Sequence, residues 1–168
     1  MKGILKLENG KELTVEIDEN TLKSIEEPKK TGYERVELGS QYYVENPTEP
    51  VEKMTEDGYD VDELYYSAAN YYSDKTVAEN NARADNLMRK LRRFAVEHRK
   101  QKLDWNNTNI CKYPIYYRIA SHDIIVGSSS VSKGFGHIYF DTKETAEKAI
   151  EEFKDELIWY FTEYKDSL

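Results

Sequence analysis

Tyr71-Tyr72-Ser73-Asp74-Lys75-Thr76-Val77-Ala78-Glu79 and Tyr139-Phe140-Asp141-Thr142-Lys143-Glu144-Thr145-Ala146-Glu147 align without a gap at an offset of 68 residues. Tyr71 matches Tyr139, Lys75 matches Lys143, Ala78 matches Ala146 and Glu79 matches Glu147. Each stretch passes from aromatic, strand-favouring residues through a capping side chain into a helix-favouring run. Upstream of each lies a Tyr-rich segment with strand character, Gln41-Tyr42-Tyr43-Val44 in the first and Ile115-Tyr116-Tyr117-Arg118-Ile119 in the second. The pattern predicts an α+β fold of pseudo-duplicated β-β-β-α units, residues 33–103 and 104–168, sharing one domain. Their strands are expected in one antiparallel sheet with two long helices on one face.

Helix-period stripes run on from both junctions. Ala78, Ala84, Leu87, Met88, Leu91, Phe94 and Ala95 recur at helical spacing in the first copy. Ala146, Ala149, Ile150, Phe153, Leu157, Tyr160, Phe161 and Tyr164 do so in the second. These are core stripes rather than cofactor boxes. Asp141 or Thr142 is expected to cap the second helix, with Glu144 completing a capping box with Asp141. Residues 104–109 and the Gly/Ser-rich stretch 127–136 read as loops.

The first 30 residues read as a separate appendage. Ile4 to Glu8 and Leu13 to Ile17 alternate around Asn9-Gly10, a strong hairpin signal. Asp18 is placed to cap a short helix over residues 21–25. Charged residues interrupt the opening apolar run, so no secretory leader is expected, and no stretch has the length of a membrane span. Cys111 is the only cysteine. These features point to a folded chain in a reducing cytoplasm.

Leu91-Arg92-Arg93-Phe94-Ala95-Val96-Glu97-His98, Tyr116-Tyr117, Phe135-Gly136-His137-Ile138-Tyr139-Phe140 and Thr142 to Ala149 together resemble a group of small accessory proteins. That group is encoded by phages and prophages of Gram-positive bacteria. The likeness spans roughly residues 33–163 and leaves out the hairpin. It implies a phage setting, and with it the host bacterial cytoplasm, in which small acidic α+β proteins disable host defence, anti-CRISPR proteins among them. It carries over no catalytic residue.

Charge is strongly segregated along the chain. Residues 1–74 hold 8 basic and 18 acidic groups, residues 75–133 hold 12 and 5, and residues 134–168 hold 4 and 9, for a net −8. The acidic run Glu45, Glu49, Glu52, Glu56, Asp57, Asp60, Asp62 and Glu63 is a candidate binding surface that imitates nucleic-acid phosphates and occupies a basic nuclease channel. The opposite candidate is the segment 89–102, read as a continuous basic helix bearing Arg89, Lys90, Arg92, Arg93, Arg99 and Lys100, which could contact phosphates. Neutralisation of one segment by the other is the plainer reading of both.

Catalytic and metal chemistry find no foothold in the sequence. His98, His122, His137 and Cys111 lack metal-ligand spacing. Residues 57–63 lack the spacing and terminal ligand of a calcium loop. Gly134-Phe135-Gly136 precedes a strand rather than a helix, so it is a turn, not a phosphate loop. No catalytic, cofactor or metal residue is therefore assigned. The expected function is a phage-encoded inhibitor that binds a bacterial defence protein non-catalytically, a CRISPR-Cas nuclease first among targets. A nucleic-acid-binding regulator using the basic helix is the alternative, and no membrane partner is expected.

Overall fold

The computed structural model describes residues 2–6, 10–16, 30–46 and 51–164. It is an α+β protein with antiparallel sheets. β1 (Lys2–Lys6) and β2 (Glu12–Glu16) form the expected hairpin, in a register that pairs Lys2 with Glu16 and Lys6 with Glu12. The short helix expected over residues 21–25 lies outside the described residues.

β3 (Gln41–Val44) pairs antiparallel with β4 (Glu52–Thr55), and on its other side Tyr43 bridges Tyr72 through reciprocal backbone hydrogen bonds of 2.8 and 2.9 Å. Between β4 and that bridge runs α1 (Asp60–Ser67), a helix that the predicted β-β-β-α unit does not contain. α2 (Lys75–Glu97) follows at once, about 35 Å long at the rise of an α-helix. The second half of the chain gives β5 (Tyr113–Arg118), β6 (Asp123–Val126) and β7 (Tyr139–Phe140), with β5 central in the order β6-β5-β7. α3 (Lys143–Glu152), α4 (Lys154–Trp159) and a π-helical turn (Tyr160–Tyr164) complete it.

Two expectations need correction. The strands form separate sheets rather than one, since among the described residues no strand of β3–β4 pairs with β5, β6 or β7, and Tyr72 adds only a single bridge to β3. The second long helix is broken at Phe153, which caps α3 with φ −111° and ψ 23°. Its ring packs edge-on against Phe94 at 5.8 Å, an anchor that holds the bend in the core.

The caps explain where the helices begin. The Asp74 carboxylate accepts from the amides of Thr76 and Val77 at 2.7 and 3.1 Å, and the Thr142 hydroxyl accepts from Thr145 at 3.1 Å. Asp141 does not share in the second cap. It is buried, and its Oδ2 accepts from the backbone amides of Lys100 and Gln101 at 2.6 and 2.9 Å. It thereby ties the chain leaving α2 to the start of α3.

α2 serves both halves. Its first turns bury Ala78, Ala82 and Ala84 and touch β3. Its last turns supply Leu87, Leu91, Phe94 and Ala95 to the main core, beside Phe140, Ala146, Ala149 and Leu157. A smaller core of Tyr42, Val44 and Tyr71 lies under α1, with the Tyr42 and Tyr71 rings stacked at 4.0 Å. Gly32 is required where the chain enters this half: its φ is +89°, and a Cβ there would sit 2.7 Å from Val77 Cγ2.

Candidate binding surfaces

The acidic segment divides into an inside and an outside. Glu56 is buried, and its carboxylate receives Nε and Nη2 of Arg35 at 3.0 and 3.2 Å, the Tyr71 hydroxyl at 2.9 Å and the Gly58 amide at 3.1 Å. Asp62 is buried too. It receives the Tyr42 hydroxyl at 2.6 Å and the amides of Tyr59 and Asp57 at 2.9 and 3.1 Å. As third residue of α1 reaching back to the Tyr59 amide, Asp62 starts the helix in the manner of a capping box.

These contacts set the ionisation of the group. The Arg35 hydrogen bonds, ahead of the Tyr71 hydroxyl, hold Glu56 below the usual carboxylate range. The Tyr42 hydroxyl is the main cause of the same shift in Asp62. Burial, reinforced by those carboxylates, pushes the Tyr42 phenol well above its ordinary value and Tyr71 up to about 12. Both carboxylates are therefore internal struts, and Glu56 and Asp62 cannot form part of an acidic surface. Glu49 lies outside the described residues.

What remains outside is mixed in character. Asp57, Asp60 and Glu63 are exposed, Glu63 pairing with Nη1 of Arg35, and Glu52 accepts from Asn46 at the edge of β4. Among them stand Leu38, Tyr59 and Leu64, exposed by 74, 68 and 64%, with Val61 and Tyr66 also exposed. Leu38 leans over the turn at Gly58, where φ is +71° and a Cβ would come within 3.2 Å of its Cδ2. α1 thus turns apolar side chains to solvent and keeps a carboxylate inside, the reverse of an ordinary amphipathic helix. Apolar spacing at Val61 and Leu64 was visible in the sequence, yet the acidic residues between them dominate its appearance.

The basic segment is also divided. α2 ends at Glu97 and His98 caps it, so Arg99 and Lys100 lie beyond the helix, not along it. Arg89 and Arg93 face Asp85 and Glu97 one turn away, at 3.8 and 3.9 Å. Lys90 is exposed, and the backbone of Lys100 is the part that bonds Asp141. Arg92 and Arg99 come together on a cleft of about 460 Å³ with Trp105, His137 and Tyr139, residues that the sequence left as loop and strand. Trp105 meets Tyr139 edge-on at 4.8 Å, and the ammonium of Lys133 lies 4.8 Å from the indole centre. On the inner side Lys112 is fully buried, donating to the carbonyls of Asn107 and Ile110.

A larger, mainly apolar groove of about 800 Å³ adjoins this cleft at residues 136–138, between the second half of α2 and the π-helical turn. His98 stacks on Phe94 at 3.9 Å, and Tyr117 contacts His122 across 3.1 Å. Among the described residues no three His, Cys, Asp or Glu side chains gather as metal ligands, and no helix is long and apolar enough to cross a membrane. Comparison with protein-family models, curated proteins and solved structures finds no match to this chain.

Proposed function

We propose that this chain is a non-catalytic binding protein, a phage-encoded inhibitor that docks on a bacterial defence protein through α1. The favoured target is a CRISPR-Cas nuclease, from the phage setting that the sequence resemblance implies. The observation that carries the docking surface is the exposed strip of Leu38, Tyr59, Val61 and Leu64 set among Asp57, Asp60 and Glu63. Tyrosines and aliphatic anchors at the centre with charge around them are the usual makeup of a protein interface. The buried Glu56 and Asp62 hold this strip in place before any partner arrives, which lowers the ordering cost of association. The surrounding carboxylates favour a basic partner surface, of the kind that a nuclease channel offers.

Leu64→Asp combined with Tyr59→Ala tests this reading in a plasmid-interference assay with a Gram-positive CRISPR nuclease, alongside capture from nuclease-treated host lysate. Loss of both inhibition and the captured partner, with an unchanged melting curve, is expected. Undiminished inhibition by the double variant removes α1 as the docking surface. A partner lost on nuclease treatment removes the protein-binding reading.

We infer also that residues 33–103 and 104–168 derive from one ancestral β-β-β-α unit. Support comes from the strand orders β4-β3-Tyr72 and β6-β5-β7, and from caps at Asp74 and Thr142. Lys75–Glu79 and Lys143–Glu147 add matching ion pairs in the first turns of the helices. The insertion of α1 in one unit and the break at Phe153 in the other are where the units diverge.

A further inference from the structure

We propose that the cleft between the end of α2 and the segment 133–139 binds single-stranded nucleic acid, with bases on its aromatic rings and phosphates on Arg92, Arg99 and Lys133. This surface is separate from the α1 strip and shares no residue with it.

The first observation is a row of rings. Trp105 meets Tyr139 at 4.8 Å, Tyr139 meets His137 at 5.9 Å and His137 meets Tyr116 at 5.1 Å. Each member keeps at least part of its surface in solvent, and His137 is exposed. Tyr139 stands opposite Pro114 on β7, and strand alternation puts Tyr116 on the same face of β5. The row therefore crosses a sheet and continues onto the loop that carries Trp105. Successive rings on a rigid sheet are what unpaired bases stack upon, whatever their sequence.

The second observation is charge. Arg92, Arg99 and Lys133 are exposed and have no ion-pair partner among the described residues. Among the described residues no acidic side chain lines the cleft. Asp141, the nearest carboxylate in sequence to this segment, is buried and turned to the amides of Lys100 and Gln101. The lining of the cleft itself thus carries Arg92 and Arg99, with Asp104 beside Trp105 as the neighbouring carboxylate. Lys133, lying over the Trp105 ring, can leave it for a phosphate as a base takes its place. A duplex would offer phosphates to the arginines but no free base face to the rings, so the arrangement selects single strands.

The test is fluorescence anisotropy of a labelled oligothymidine of about 12 nucleotides across a salt series. Binding is expected at low salt, with Arg92→Gln and Arg99→Gln each flattening the log–log salt slope by about 0.7. Trp105→Ala is expected to weaken binding about 5- to 150-fold, the loss of one stacked base. Because that variant also removes the Tyr139 contact, a Trp159→Phe protein supplies a second reading. It leaves Trp105 as the sole indole, whose fluorescence should be quenched as the oligonucleotide is added. Absence of binding at low salt overturns the proposal. Equal affinity for duplex of the same sequence with unquenched Trp105 overturns it as well, as does an unchanged salt slope in the arginine variants.

Discussion

The Tyr42 hydroxyl donates to Asp62 Oδ1 across 2.6 Å, between two side chains that are both buried. This bond joins β3 to the first turn of α1, and with it the backbone amides of Asp57 and Tyr59 that Asp62 Oδ2 collects. Tyr42→Phe keeps the stacking on Tyr71 and removes only the hydroxyl. The variant is expected to melt about 5 °C lower than the parent, since it leaves an ionised buried acceptor short of one donor. A melting curve within a degree of the parent would show that the bond contributes little.

Stability should fall in acid because of the same struts. Glu56 and Asp62 both titrate below their ordinary values in the folded protein. A depressed folded-state pKa adds stability that is complete above the unfolded value, about 4, and lost as pH drops through the folded value. Urea midpoints are therefore expected to hold between pH 7 and 5 and to decline below about pH 4. Tyr42→Phe, lacking the main cause of the Asp62 shift, should lose less over that lower range. Parallel curves for the two proteins would contradict the assignment.

Glu45 behaves in the opposite sense. Burial raises its pKa, against the lowering effect of the Tyr72 hydroxyl bonded to it at 2.9 Å. Its charged form is penalised in the fold, so the penalty is absent below the unfolded value and grows as pH rises through the folded one. Glu45→Gln retains a carbonyl for the Tyr72 hydroxyl. It is expected to be more stable than the parent at pH 7, with the difference closing toward pH 4, as read by urea denaturation at both pH values.

Asp141 is expected to matter more than a capping residue would. Asp141→Ala leaves the amides of Lys100 and Gln101 without their acceptor in a part-buried place, for a loss of about 2 kcal/mol. Asp141→Asn keeps an oxygen for those amides and should recover most of it. Chemical denaturation of the pair separates this linking role from simple helix capping, in which Thr142→Ala would cause the larger loss.

The contrast between Asp74 and Asp62 shows what was legible in the sequence. Asp74 caps amides two and three residues ahead, and its role follows from local pattern alone. The passage from β7 at Phe140 into α3, the helix starts at Lys75 and Lys143 and the buried Ala78 and Ala146 belong to the same class. Glu56 and Asp62 find Arg35 and Tyr42 21 and 20 residues back along the chain, so nothing near them distinguishes a strut from a solvated charge. The break at Phe153 has neither Pro nor Gly to announce it and follows from packing against Phe94. The Arg92–Arg99 cleft was half visible: the cations were plain, while Trp105 and His137 reach it only through the fold.

α2 reaches both halves, with Ala78, Ala82 and Ala84 buried at the end that touches β3 and Leu87, Leu91 and Phe94 in the main core at the other. Arg83 at its middle also pairs with Glu156 at 2.9 Å and stacks on Trp159 at 3.8 Å. A helix held in both halves transmits the loss of either to the other, so unfolding should proceed as one cooperative event. Severing the chain near residue 104 would strip the second half of the helix that covers its apolar side. The two halves are therefore expected to melt together, in a single transition.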